Sequence, residues 1–213
     1  MTDPTAGAEA LLDGVRVLPV LVVRNVEHAE PLARALMAAG VRAAEITLRT
    51  PAALEAIGRM RAAEPELRVG AGTLLSPADV EAAKAAGAQF LITPGTTPLL
   101  AGALKASGVP AIPGAATASE AMALAEQGFR LLKFFPAERA GGAAALRDLQ
   151  GPLPHLRFCP TGGVSEEKVE SYLSLNNVVC VGGSWVAPEA MMAAGDWAGV
   201  EAIARRAAGE ARA

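Results

Sequence analysis

Short β-branched runs alternate with longer stretches rich in Ala, Leu and Glu from one end of the chain to the other. That alternation narrows the possible folds more than any other feature, because strand–helix–strand repeats build parallel sheets. Strands are predicted over 17–23, 43–48, 68–74, 90–93, 109–113, 131–135, 157–161 and 178–182. Helices are predicted between them, for example over 29–39, 52–63, 77–86, 120–127 and 166–175. Ser76-Pro77-Ala78-Asp79 supplies an N-cap serine, a first-turn proline and an acid at the third helical position. Thr117-Ala118-Ser119-Glu120 and Ser165-Glu166-Glu167-Lys168 give the same start signal, while Gly40, Gly87, Gly108 and Gly128 stand where left-handed stop residues belong. The units repeat roughly every twenty to twenty-five residues, near the lower length limit of a (β/α)₈ barrel. The predicted strands are apolar on both faces, as buried parallel strands are. The expected fold is therefore α/β, a single (β/α)₈ TIM barrel over residues 1–213, with an extra N-terminal helix over 8–14 and a closing helix over 196–211. A doubly wound open sheet is the competitor, but its G-x-G-x-x-G fingerprint fails: after Gly70-Ala71-Gly72, Leu75 occupies the third glycine position.

Composition removes several function classes. A net charge of -3 offers no basic field for nucleic acid or an anionic membrane, and aromatics at 4% provide no base-stacking platform. The apolar stretches are short and interrupted, so no membrane span is expected. The opening Met1-Thr2-Asp3-Pro4 is unlike a signal peptide, and two cysteines in apolar runs, Cys159 and Cys180, suit a reducing cytoplasm. With only two histidines, His28 and His155, a His-rich metal site is not expected. His28 is read as exposed at a helix start, His155 as a loop residue, and the two cysteines as core packing.

In barrels of this kind the chemistry sits at the C-terminal strand ends and in the loops beyond them. Lys84, Lys105 and Lys168 fall in predicted helices, whereas Lys133 lies inside Leu131-Leu132-Lys133-Phe134-Phe135-Pro136. A buried ammonium costs several kcal/mol by desolvation unless it is paired or gives up its proton. Two readings stand: a structural lysine neutralised by a buried acid, or a free amine that attacks a carbonyl carbon. Strand 43–48 carries Glu45, Thr47 and Arg49 on one face by period two. Glu45 and Arg49 make either a buried ion pair or, with Lys133, the parts that bind a 2-oxo acid. The arginine fork would hold the carboxylate, the lysine would attack the ketone, and the glutamate would move protons. Thr161-Gly162-Gly163-Val164 and Val181-Gly182-Gly183-Ser184 follow the last two strands, where these barrels hold phosphate; two tight turns are the plainer reading. Thr73 either ends a strand or offers a hydroxyl to a carboxylate.

Together, Glu45-Ile46-Thr47-Leu48-Arg49-Thr50, Gly70-Ala71-Gly72-Thr73, Lys133-Phe134-Phe135-Pro136-Ala137-Glu138, Cys159-Pro160-Thr161-Gly162-Gly163-Val164 and Gly182-Gly183-Ser184-Trp185 resemble the 2-keto-3-deoxy-6-phosphogluconate (KDPG) aldolases, a family that includes 4-hydroxy-2-oxoglutarate aldolases. The resemblance runs from about Pro19 to Pro188 with its motifs in order. It implies a class I aldolase in a homotrimeric barrel, acting on a 2-oxo acid phosphate without metal or other cofactor. Lys133 resembles the Schiff-base lysine and Glu45 the general acid/base. Arg49 and Thr73 resemble the carboxylate-binding pair, and Thr161 the threonine near the substrate hydroxyl. Gly162, Gly163 and Ser184 match the phosphate end, and Pro94 and Phe135 the apolar lining. Thr93 stands where the family often has Ser, Leu99 where an acid is common, and the Gly114-Ala115-Ala116-Thr117 turn has Ala where a bulkier residue and Ser are expected; these departures bear on the pocket wall and so on substrate breadth. A phosphosugar isomerase or epimerase using Glu45 as base, and a non-catalytic phospho-ligand binding barrel, are the alternatives from other classes.

Overall fold

The computed structural model describes residues 6–209, so Met1–Pro4 and the last residues of the predicted closing helix lie outside the described residues. The strands are β1 Val17–Leu21, β2 Ala43–Thr47, β3 Arg68–Gly72, β4 Leu91–Ile92, β5 in two pieces (Ala111–Ile112 and Gly114–Ala115), β6 Leu131–Phe134, β7 Arg157–Pro160 and β8 Val181–Gly183. Each runs parallel to the next, with Val20 opposite Glu45, Glu45 opposite Gly70, Leu91 opposite Ala111 and Gly114 opposite Lys133. β7 meets β8 through two isolated bridges, Phe158 with Val178 and Thr161 with Gly182, and β8 returns to β1 with Val17 opposite Val181. The sheet is thereby closed, which leaves no exposed edge. β5 is interrupted at Pro113, which has no N–H to give the ladder, although its carbonyl still accepts from the Lys133 amide at 2.9 Å. Most predicted strands overrun the observed ones by a residue or two, and the overrun peels into the loops above the barrel.

The helices follow the sequence signals. Pro77–Ala85 and Ala118–Glu126 each begin with a complete capping box, from Ser76 with Asp79 and from Thr117 with Glu120. Gly40, Gly87, Gly108 and Gly128 all have positive φ, as their stop positions require. Ser165 departs from expectation: its side chain caps nothing, and it opens a 3-10 turn, Glu166–Lys168, ahead of the short helix Val169–Leu173. The helices Pro98–Ser107 and Gly142–Gln150 complete their units, and Glu189–Ala194 and Trp197–Ala208 close the chain. Among the described residues no helix is long and apolar enough to cross a membrane.

Alternate strand residues feed two separate cores. Val17, Ala44, Ile46, Val69, Leu91, Leu132, Phe158 and Val181 face outward and pack under the helices. Leu18, Ala43, Phe90, Ile92, Ile112, Leu131, Cys159 and Cys180 face inward and fill the lower barrel. The extra helix, observed over Ala6–Leu12, inserts Ala8 and Leu12 into that inner layer and plugs the N-terminal end of the barrel. Full burial of a leucine such as Leu12 contributes about 1.5–3 kcal/mol. Period two then sends Glu45, two residues beyond Ala43, and Lys133, two beyond Leu131, into the same interior one layer higher.

Candidate active site

Above the apolar plug the interior turns polar. Lys133 Nζ donates to Glu45 Oε1 at 3.1 Å and to Oε2 at 3.4 Å, with Lys133 5% and Glu45 1% exposed. β2 and β6 lie on opposite sides of the ring, so the pair spans the shaft at its centre. Removing one partner of a buried pair leaves an uncompensated charge and costs about 3–5 kcal/mol. The Phe135 ring, with its centroid 5.5 Å from Lys133 Nζ, borders the amine, and the Phe135–Pro136 peptide is cis.

Glycine makes the room this pair occupies. A Cβ on Gly72 would lie 1.9 Å from Glu45 Oε1, and a Cβ on Gly182 would lie 2.2 Å from Thr161 Oγ1. Gly70 yields its space to the Phe90 ring and Gly114 to the backbone of Pro94. Inward positions on β3, β5 and β8 are therefore hollowed so that side chains from neighbouring strands can lean across them. Motif reading singled out Gly72 and Gly182 for other reasons and missed this role. The signal available in sequence was their parity with the inward residues of each strand.

The remaining site residues ring the mouth. β2 ends at Thr47, whose hydroxyl donates to the Leu21 carbonyl at 2.9 Å, and the Arg49 amide turns back onto the Thr47 carbonyl at 2.8 Å. Arg49 is consequently exposed on the rim and joins none of the ion pairs among the described residues, so a Glu45–Arg49 pair within the strand is not formed. An uncommitted guanidinium at the barrel mouth is free to take an anion. Thr73, half-buried after β3, is the one non-glycine among the described residues with positive φ, at 60°. A β-branched residue there is strained, by on the order of 1–3 kcal/mol, and such strain clusters at functional sites. Thr161 is buried beneath the Gly162 and Gly163 turn, with its Oγ1 3.9 Å from Cys159 Sγ. Gly162 and Gly163 both have positive φ, at 102° and 81°, and Ser184 is exposed at the start of the 3-10 turn Ser184–Val186.

The departures noted in the sequence leave the interior largely untouched. Thr93 keeps a hydroxyl in place: its Oγ1 accepts from the Gly114 amide at 2.9 Å and lies 2.7 Å from Thr96 Oγ1, beside half-buried Pro94. Ala115 packs outward beneath the helices rather than into the shaft, and Leu99 is 72% exposed on the flank. Neither side chain lies in the interior around Lys133. Cys159 and Cys180 are buried with their sulfurs 3.5 Å apart in the inner core, and the hydrogen bond to Cys159 together with burial pushes the Cys180 thiol up. His155 is exposed in a loop as expected, whereas His28 is half-buried edge-on against Trp197. Among the described residues no three His, Cys, Asp or Glu side chains gather to hold a metal ion.

With this geometry in hand, residues 8–203 match the family described as KDPG and KHG aldolase. The chain is 48% identical over 207 residues to the 2-dehydro-3-deoxy-phosphogluconate aldolase of Pseudomonas aeruginosa, covering 97% of this chain and 94% of that protein. It is 46% identical over 208 residues to the KHG/KDPG aldolase of Escherichia coli K12, covering 97% of each. Among solved structures it is similar to the KDPG aldolase of Legionella pneumophila with pyruvate captured as a covalent carbinolamine, with a TM-score of 0.91, 41% identity and coverage of 96% and 97%.

Proposed function

The chain belongs to the KDPG and KHG aldolase family, and we propose that it cleaves KDPG to pyruvate and glyceraldehyde 3-phosphate through a Schiff base on Lys133. The observation that carries this reading is the buried contact of Lys133 Nζ with Glu45 Oε1 at 3.1 Å in the centre of a plugged barrel. Lys133 passes a proton to Glu45, the freed amine adds to C2 of the substrate, and Glu45 returns protons to the oxygen until the carbinolamine loses water. Glu45 then accepts the C4 hydroxyl proton; the C3–C4 bond breaks, its electrons pass to the iminium, and the aldehyde departs. The enamine takes a proton at C3, and water hydrolyses the imine to free pyruvate and the amine. The iminium is the electron sink, so no metal is required. Arg49 and Thr73 hold the carboxylate, Thr161 meets the C4 hydroxyl, and Pro94 and Phe135 form the apolar wall. Gly162, Gly163 and Ser184 receive the phosphate through backbone N–H groups and a hydroxyl.

4-Hydroxy-2-oxoglutarate, giving pyruvate and glyoxylate, is a second substrate of the same chemistry; the E. coli relative's name joins the two activities. Leu75, Leu99 and Met122, at 68%, 72% and 50% exposed on successive βα units, support a homotrimer by offering an apolar flank to further copies. Light scattering at any mass other than three chains would overturn that assembly. A charged phosphate ester does not cross a bilayer unaided, which supports a cytoplasmic site of action.

The test of the reaction is reductive trapping. Borohydride added with pyruvate should leave a reduced adduct on Lys133, read by peptide mass spectrometry, and Lys133→Ala should abolish pyruvate release from KDPG. An adduct elsewhere, or none, would count against this reading, and isomerase or epimerase activity surviving in Lys133→Ala would favour a reaction using Glu45 alone. Tight ligand binding without any pyruvate release would instead indicate a binding barrel.

A further inference from the structure

Glu138 ends the run that begins at Lys133, and the reaction above gives it no part. Its backbone lies on the neighbouring turn: the Ala137 amide donates to the Thr161 carbonyl at 2.8 Å and the Glu138 amide to the Gly162 carbonyl at 3.1 Å. Its side chain lies against Gly163, where a Cβ would come within 2.9 Å of Glu138 Cβ and Cγ. Beyond that contact the carboxylate is held from two sides. Oε1 accepts from the Tyr172 hydroxyl at 2.5 Å, and Oε2 accepts from Lys168 Nζ. Lys168 and Tyr172 both belong to the helical segment that the Thr161-Gly162-Gly163 turn leads into. Glu138 therefore touches both glycines and the helical segment after them, while its neighbour Ala137 holds Thr161 before them.

The two side-chain contacts differ in weight. Tyr172 is fully buried, so its hydroxyl depends on this one acceptor for its hydrogen bond. Lys168 is about half exposed and contributes less, but its charge offsets that of the carboxylate. The ammonium of Lys168 and then the Tyr172 hydroxyl hold the Glu138 carboxyl below the ordinary carboxylate range, so it accepts both bonds as the anion. Two successive glycines at positive φ have no side chains with which to fix their own turn. An outside clamp supplies what they lack.

We propose that Glu138 is a positioning residue that fixes the Thr161-Gly162-Gly163 turn in the shape that receives the substrate phosphate. This rests on the phosphate-binding reading of that turn given above. It predicts that disturbing Glu138 weakens recognition of the phosphate and spares chemistry at Lys133. The pair of readouts is KM for KDPG and the exchange of pyruvate methyl protons in D2O followed by NMR, which needs the Schiff base but no phosphate.

Glu138→Ala should raise KM for KDPG about tenfold and weaken inhibition by inorganic phosphate to the same degree, with pyruvate exchange within about twofold of the parent. Glu138→Gln, which keeps an acceptor for Tyr172, should recover most of that loss. Tyr172→Phe, which keeps the buried ring, should raise KM about threefold and decides the matter if Glu138→Ala does not fold. The proposal is overturned by an unchanged KM, by parallel loss of exchange and KDPG cleavage in these variants, or by tighter phosphate binding in Glu138→Gln, which would mean simple repulsion. Failure of the parent protein to exchange pyruvate or to be trapped at Lys133 would instead sink the aldolase reading itself.

Discussion

Replacing Gly72 with alanine probes the site with a single methyl group. The added Cβ would stand 1.9 Å from Glu45 Oε1, 2.5 Å from Cδ and 2.6 Å from Cγ, and these are its three nearest neighbours. Gly72 is absent from the positive-φ glycines, so the backbone itself accepts alanine and the effect is steric. Non-bonded heavy atoms settle at about 3.5 Å, so the carboxylate must retreat by more than about 1 Å. A shift of that size is expected to break the 3.1 Å contact with Lys133 Nζ. A displacement of this size costs about 100-fold in rate, and full loss of a general acid/base costs about 10²–10⁴-fold. We therefore expect kcat/KM for KDPG, read as pyruvate release coupled to lactate dehydrogenase, to fall by about 10²–10⁴-fold. Overpacking should also lower unfolding stability by about 1–3 kcal/mol in urea. The decisive comparison is a double-mutant cycle. In a Glu45→Ala background the obstacle has gone, so adding Gly72→Ala should change activity by less than about twofold and leave a coupling of at least about 1 kcal/mol in stability. Activity of Gly72→Ala within about threefold of the parent, or losses that simply multiply across the cycle, would refute the steric account.

Two further substitutions probe the rim and the scaffold. Thr73→Gly relieves a left-handed backbone at φ 60 and removes the hydroxyl. Stability should rise by about 1 kcal/mol while KM for the 2-oxo acid increases, and a lower urea midpoint would show that the backbone is not strained. The Glu120 carboxyl is held below the ordinary carboxylate range chiefly by the Ala116 amide, with the Thr117 hydroxyl and amide adding to it. Its stabilisation is thus present above the unfolded value and fades as pH falls through the lowered folded value. Glu120→Gln should cost about 0.3–1 kcal/mol near pH 7 and almost nothing near pH 2; a cost that does not vary with pH would contradict the capping role.

Much of the fold is legible because local and global signals agree. Ser76, Thr117 and the stop glycines mark helix ends by chemistry that depends only on neighbouring residues. Ser165 departs from that rule: a 3-10 turn, Glu166–Lys168, follows it in place of a regular first α-helical turn, and its side chain makes no cap bond. Lys133 and Glu45 are legible because a charge inside an apolar strand violates the pattern around it. That they meet each other, rather than Glu45 meeting Arg49, depends on barrel closure and on where β2 stops, neither of which spacing within one strand reveals. Thr73 reads as an ordinary strand end because its strain is a matter of backbone angle, and threonine gives no hint of positive φ. The space-making role of Gly72 and Gly182 is not legible within their own strands, since the side chains they make room for come from other strands.

The helix Ala6–Leu12 corks one end of the cylinder, and this has a consequence for traffic. A tunnel with a single door must admit substrate, water and protons, and discharge both fragments, by one route. In the reaction proposed above, the half held on Lys133 would occupy the dead end and the other half would stand in front of it. Departure would then be ordered by depth, the outer fragment leaving first.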